Sequence, residues 1–237
     1  MIGRLHLSGI GLVLVMMMTS TNVLLRAQSI SPMIVEYQEK AAGQFQITND
    51  TLYPMNVVLE AFGFRADESG KPKFGKLDAG LRVRLSETGF RIGPQQKHTV
   101  LYDAEAEELP AWFTIYATIT RAGQRPDIQV AFQLPHTVYL LPKRPLDREA
   151  VYVRRAEEKE SSVQVEIENQ SGQFGRVQEV QVVSSRGTKT YPGFPFFPHY
   201  RRILSLESEK TADLKRIVLK FPRFNVEQVI GPTTSSP

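Results

Sequence analysis

The chain has 237 residues, is 41% hydrophobic and carries a formal net charge of +4. That length accommodates two domains of common size, and the apolar content is enough for their cores. Arg4 and Arg26 fall in an N-terminal leader, and without them the charge drops to about +2, with no basic cluster interleaved with stacking aromatics, so a nucleic-acid footprint is not indicated.

Residues 1–27 read as a secretory signal: Arg4 gives a positive start, and residues 9–18 form an apolar run too short to span a bilayer. Cleavage after Ala27 fits, although Leu25 and Arg26 are poor matches to a small-residue site, and an uncleaved anchor stays open as the alternative. The chain has no cysteine, so an exported product must be stable without disulfides. From about Ser31 onward, short β-rich runs alternate with turn signals. Residues 45–48 lead into the turn pair Asn49-Asp50. Residues 55–64 read as a strand, 65–80 as a polar loop with Gly70, Pro72, Gly75 and Gly80, and 81–85 alternate strictly. Gly93-Pro94 marks a tight turn before a strand at 97–102. The acidic stretch 103–108 reads as a solvated loop, with cation binding by Asp103, Glu105, Glu107 and Glu108 the weaker alternative, and 112–120 as a strand with Phe113, Ile115, Ala117 and Ile119 on one face.

Residues 126–142 carry the most information. In an extended strand Ile128, Val130, Phe132 and Leu134 share one face, and Gln129, Ala131 and Gln133 the other. Pro135 cannot donate to a ladder, which places it on an edge strand or at a bulge. An edge strand with an apolar row can pair with another chain; the same alternation also suits an ordinary half-buried sandwich strand. The Pro142–Pro145 connection, stiff and basic, divides the chain. Beyond it come strands at 150–154, 163–167, 177–183, 203–206 and 216–221, with turns at 169–172 and 184–187. Residues 193–198 read as an apolar loop, either a contact surface or a flap over its own sandwich. Helical periodicity is nearly absent. The fold class is therefore all-β, two sandwich domains at residues 28–142 and 143–230, with a polar tail at 231–237.

No catalytic constellation emerges. His6, His98, His136 and His199 include no pair at metal-ligand spacing, there are no thiols, and neither a phosphate loop nor a Gly-x-Ser-x-Gly elbow is present. The chain reads as a binding protein and not an enzyme, with no metal, no cofactor and no small-molecule substrate.

Residues 30–143 resemble the N-terminal domain of the periplasmic pilus-assembly chaperones, the PapD-like superfamily of the chaperone–usher pathway. The resemblance rests on residues 45–50, Ile92-Gly93-Pro94, Leu109-Pro110 followed by 113–119, residues 128–133, and Tyr139-Leu140-Leu141-Pro142. Residues 165–169, 175–177 and 197–202 resemble the C-terminal domain. The resemblance implies two immunoglobulin-like β-sandwiches in an L-shaped arrangement. It implies that the last strand of the first domain is lent to an incomplete pilin-like subunit, with Ile128, Val130, Phe132 and Leu134 as the subunit-binding row. It further implies an ATP-independent periplasmic chaperone whose partners are pilus or fimbrial subunits and an outer-membrane usher. Family members anchor a subunit's terminal carboxylate with an Arg and a Lys; here those positions fall at Met33 or Ile34 and at Thr137, and the nearest cations, Lys40 and Lys143, sit elsewhere in the pattern. The non-basic positions keep a second expectation open: an Ig-like structural or adhesive component of an exported surface assembly, without chaperone activity. A hydrolase on a sandwich scaffold is a third and weaker alternative, because it would need a cluster of perturbed side chains that the pattern does not offer.

Overall fold

Alternation of apolar and polar side chains builds both halves of the chain. Strand β12 (Ser162–Asn169) buries every second residue along its length, so Val163, Val165 and Ile167 point inward while Gln164, Glu166 and Glu168 face out. The computed structural model describes residues 28–123, 130–159, 162–207 and 214–229; the leader at 1–27, Ile128 and the tail at 231–237 lie outside the described residues.

The first half is a sandwich of two sheets. One runs β1 (Gln28–Ser31), β3 (Lys40–Asn49), β8 (Lys97–Ala106), β6 (Leu81–Leu85). The other runs β2 (Ile34–Gln38), β10 (Ala131–Leu141), β9 (Ala111–Arg121), β4 (Met55–Ala66), β5 (Pro72–Gly75), with β7 (Gly89–Ile92) also on β4. Phe45, Ile47, Val100, Phe113, Ile115 and Leu140 fill the space between them. The second half pairs the sheet β11 (Val151–Lys159), β12, β15 (Tyr200–Glu207) with the sheet β14 (Gly187–Phe196), β13 (Gly175–Ser184), β16 (Leu214–Lys220), β17 (Asn225–Val229). The architecture is two immunoglobulin-like β-sandwiches, and one short 3-10 turn, Arg148–Ala150, is the helical content of the described residues.

The same asparagine corner ends a strand in each half. Asn49 donates from Nδ2 to the carbonyls of Tyr53 and Gly93, each at 2.8 Å, and its Oδ1 accepts from the amide and hydroxyl of Thr51. Asn169 donates to the carbonyls of Gln173 and Phe197 and accepts from the amide and hydroxyl of Ser171. Both asparagines are fully buried, so each corner holds polar groups that would cost about 1–3 kcal/mol apiece if left unpaired.

Three expectations need correction. Residues 65–80 are not one loop: β4 continues to Ala66, turns, and pairs back with β5, because Asp67 accepts from the amides of Ser69 and Lys71 and closes a tight turn at Gly70. The acidic stretch does not start as a loop, since Asp103 to Ala106 belong to β8, where Glu105 lies between Lys40 and Arg82 and the opposite charges keep it in a ladder. Residues 193–196 are not loop but the end of β14; Phe194 and Phe196 alternate inward with Pro195 between them, and Phe197 is buried at the junction of the halves.

That junction is aromatic. Tyr139 of β10 is 3% exposed and packs into the second core, its ring 4.9 Å from Phe174 and 4.9 Å below the Arg176 guanidinium. Phe197 meets Trp112 at 4.7 Å and Phe64 at 6.1 Å. The β4–β5 turn reaches across as well: the Ile203 amide donates to the Glu68 carbonyl at 2.9 Å, the Tyr200 hydroxyl donates to the Asp67 carbonyl, and Arg201 pairs with Glu68.

Candidate functional site

Strand β10 has two neighbours along only part of its length. On one side β9 pairs with it antiparallel from Ala131 to Leu140. On the other side β2 pairs with it in parallel, but only from Thr137 to Leu141. Among the described residues none pairs with 131–136 on that side, so this stretch faces an open lane, in line with β2 and closed at its far end by Met33 and Ile34, both more than half exposed. The Thr137 amide donates to the Met33 carbonyl at 2.7 Å, so Thr137 points its backbone groups at β2. Strand alternation then turns the backbone groups of Ala131, Gln133 and Pro135 into the lane, and those of Phe132, Leu134 and His136 toward β9. Pro135 accordingly sits where its missing N–H breaks no ladder bond, which accounts for a proline inside this strand.

The predicted row divides on inspection. Phe132 is 50% and Val130 48% exposed, beside the lane on the inward face of the sheet. Leu134 on the same face is partly covered by the first core. Ile128 lies outside the described residues. The two predicted anchor positions come together, because Ile34 and Thr137 are Cα partners in the β2–β10 register. Neither is basic, and the Thr137 hydroxyl instead lies 3.0 Å from that of buried Thr114. Lys40 is engaged by Glu105 and Lys143 by Glu39, at 3.5 and 3.2 Å.

Behind the lane is a polar chain that isolated residue types do not reveal. His136 is fully buried; Nδ1 lies 2.6 Å from the Pro32 carbonyl and Nε2 3.0 Å from the Tyr102 hydroxyl. A carbonyl can only accept, so Nδ1 carries the hydrogen, and in a neutral ring Nε2 accepts from Tyr102. The Tyr102 oxygen is 3.3 Å from the Tyr37 hydroxyl. A β-carbon at Gly43 would collide with both tyrosines, so only glycine lets them meet there. The imidazole stacks on Phe45 at 4.7 Å, and burial pushes its pKa below the usual histidine range, which keeps it neutral; the Pro32 contact acts the other way and is weaker. Burial also pushes the Tyr102 hydroxyl up. Among the described residues no group of three or more His, Cys, Asp or Glu is arranged to hold a metal ion.

No family model and no curated relative matches the chain. Solved structures do. The YadV chaperone superposes with a TM-score of 0.58 at 12% identity, over 85% of this chain and 99% of that one. The E. coli chaperone DraB gives 0.52 at 16% identity, over 85% and 97%. A chain from the Salmonella enterica complex of SafA pilin with the SafB chaperone gives 0.52 at 13%, over 86% and 97%. The chain shares the two-sandwich fold of these chaperones. Identities this low establish the architecture, and the functional reading rests on the site.

Proposed function

We propose that this protein is a periplasmic chaperone that holds pilus or fimbrial subunits by lending them the first half of β10, without ATP, and delivers them to an outer-membrane usher. The observation that carries the reading is the unpaired lane along residues 131–136, flanked by half-exposed Val130 and Phe132. A sheet edge with unmatched backbone groups and an adjacent apolar row suits a partner that lacks a strand, because one event satisfies its backbone and covers its groove. The likeness to a chain from a pilin–chaperone complex supports a partner of the pilin class. A subunit whose end runs down the lane would meet Met33, Ile34 and the Thr114–Thr137 hydroxyl pair instead of a cation.

The non-basic pair at Ile34 and Thr137 favours a second reading, an Ig-like structural or adhesive module of the surface assembly. Purified fibres and periplasmic extract from the same cells, both probed for this chain, separate the two. A chaperone is expected in soluble complex with a single subunit and absent from washed fibres; recovery as a stoichiometric part of the fibre would overturn it.

A further inference from the structure

The lane has a competitor within the same chain. Residues 28–38 form one run that crosses between sheets at Pro32 and Met33: β2 pairs with β10, then β1 leaves to pair with β3, from Gln28 opposite Asn49 to Ser31 opposite Gln46. Extending the β2 register backward would instead set Ser31 beside Leu134 and Gln28 beside Ala131, filling the lane from inside the molecule. The divergence point is where His136 acts. Its Nδ1–H satisfies the Pro32 carbonyl at 2.6 Å, while the next carbonyl, that of Met33, takes the first ladder bond from Thr137. Without that donor the Pro32 carbonyl would lose its side-chain partner at the corner, a cost that favours rearrangement of the crossing. The ring itself is fixed by Phe45 from β3 and Tyr102 from β8, and Ile115 of β9 lies opposite it in the ladder.

We propose that His136 is a positioning residue that keeps the lane open: by holding the Pro32 carbonyl it commits β1 to β3 and prevents the chain from complementing its own edge. This inference rests on the strand-lending reading, with residues 131–136 as the lent segment.

Two substitutions separate this role from simple core packing. The side-chain amide of Asn reaches the place of Nδ1, and that of Gln the place of Nε2. His136→Asn is expected to keep the Pro32 bond and behave like wild type. His136→Gln is expected to release it. In client-free protein, the backbone amide of Gln133 should then become protected against hydrogen exchange while the β1–β3 amides lose protection, and capture of a pilin-type subunit should fall about tenfold. A Ser29→Cys, Thr48→Cys pair joins register partners of β1 and β3 in a chain with no other cysteine. Oxidised, it should restore capture to the Gln variant, and it supplies a folded background if that variant alone does not fold. Equal behaviour of the Asn and Gln variants, or an unprotected Gln133 amide in the Gln variant, would overturn the latch. Absence of capture by the wild-type chain would overturn strand lending instead, while the exchange comparison, which needs no client, still tests the latch.

Discussion

Replacing Val130 and Phe132 together with Asp is expected to reduce subunit capture at least a hundredfold while leaving the melting temperature within a few degrees of wild type. Each side chain is about half exposed in the free protein, so a carboxylate at either position stays solvated and the unbound fold loses little. On the proposed strand-lending reading, both positions enter an apolar groove of the subunit. Losing the remaining burial of two large side chains and placing charges there costs about 3 kcal/mol or more, and a tenfold change in affinity corresponds to about 1.4 kcal/mol. Pull-down of a pilin-type subunit, with circular dichroism on the same preparations, measures both quantities. The pair Ala131→Asp and Gln133→Asp places the same charge on the opposite side of the strand and is expected to reduce capture far less.

Replacing Tyr139 with Ala is expected to produce the largest loss of stability in the molecule. The side chain is rooted in β10 of the first sandwich but fills the core of the second, between Phe174, Phe64, Phe197 and the Arg176 guanidinium. Truncating a buried aromatic of this size costs about 3–5 kcal/mol. Because that contact joins the two sandwiches, the loss falls on their coupling, and a single thermal transition should separate into two in calorimetry. Tyr139→Phe retains the ring and should retain one transition. Two separate transitions already present in the wild type would show that Tyr139 does not couple the sandwiches.

How much of this was readable beforehand follows from what each feature depends on. Alternation within β10 is local, and so is the edge-or-bulge signal of Pro135, so both are visible in residues 126–142 alone. The lane is not local. It exists because β2, about a hundred positions earlier, covers β10 only from Thr137 onward, and strand register between distant segments leaves no mark in either one. The role of His136 is hidden for the same reason: a lone histidine after a proline has no signature until Pro32 and Tyr102 are brought to it. The asparagine corners are partly legible, since Asn49-Asp50 and residues 169–172 read as turns, whereas their burial and reach to Gly93 and Phe197 require the fold. The β4–β5 hairpin reads as loop in the sequence because its glycines and Pro72 outweigh a short strand in local propensity, and it pairs with the β15 side through the Ile203–Glu68 backbone bond.

Strand lending by β10 is decided by hydrogen exchange at the Gln133 backbone amide, measured in the free protein and in complex with a pilin-type subunit. Facing the empty lane, that amide should exchange quickly in the free chain and become strongly protected once the subunit's strand pairs with it. A subunit firmly bound while the Gln133 amide still exchanges at its free rate would mean that the partner docks elsewhere and that β10 lends it nothing.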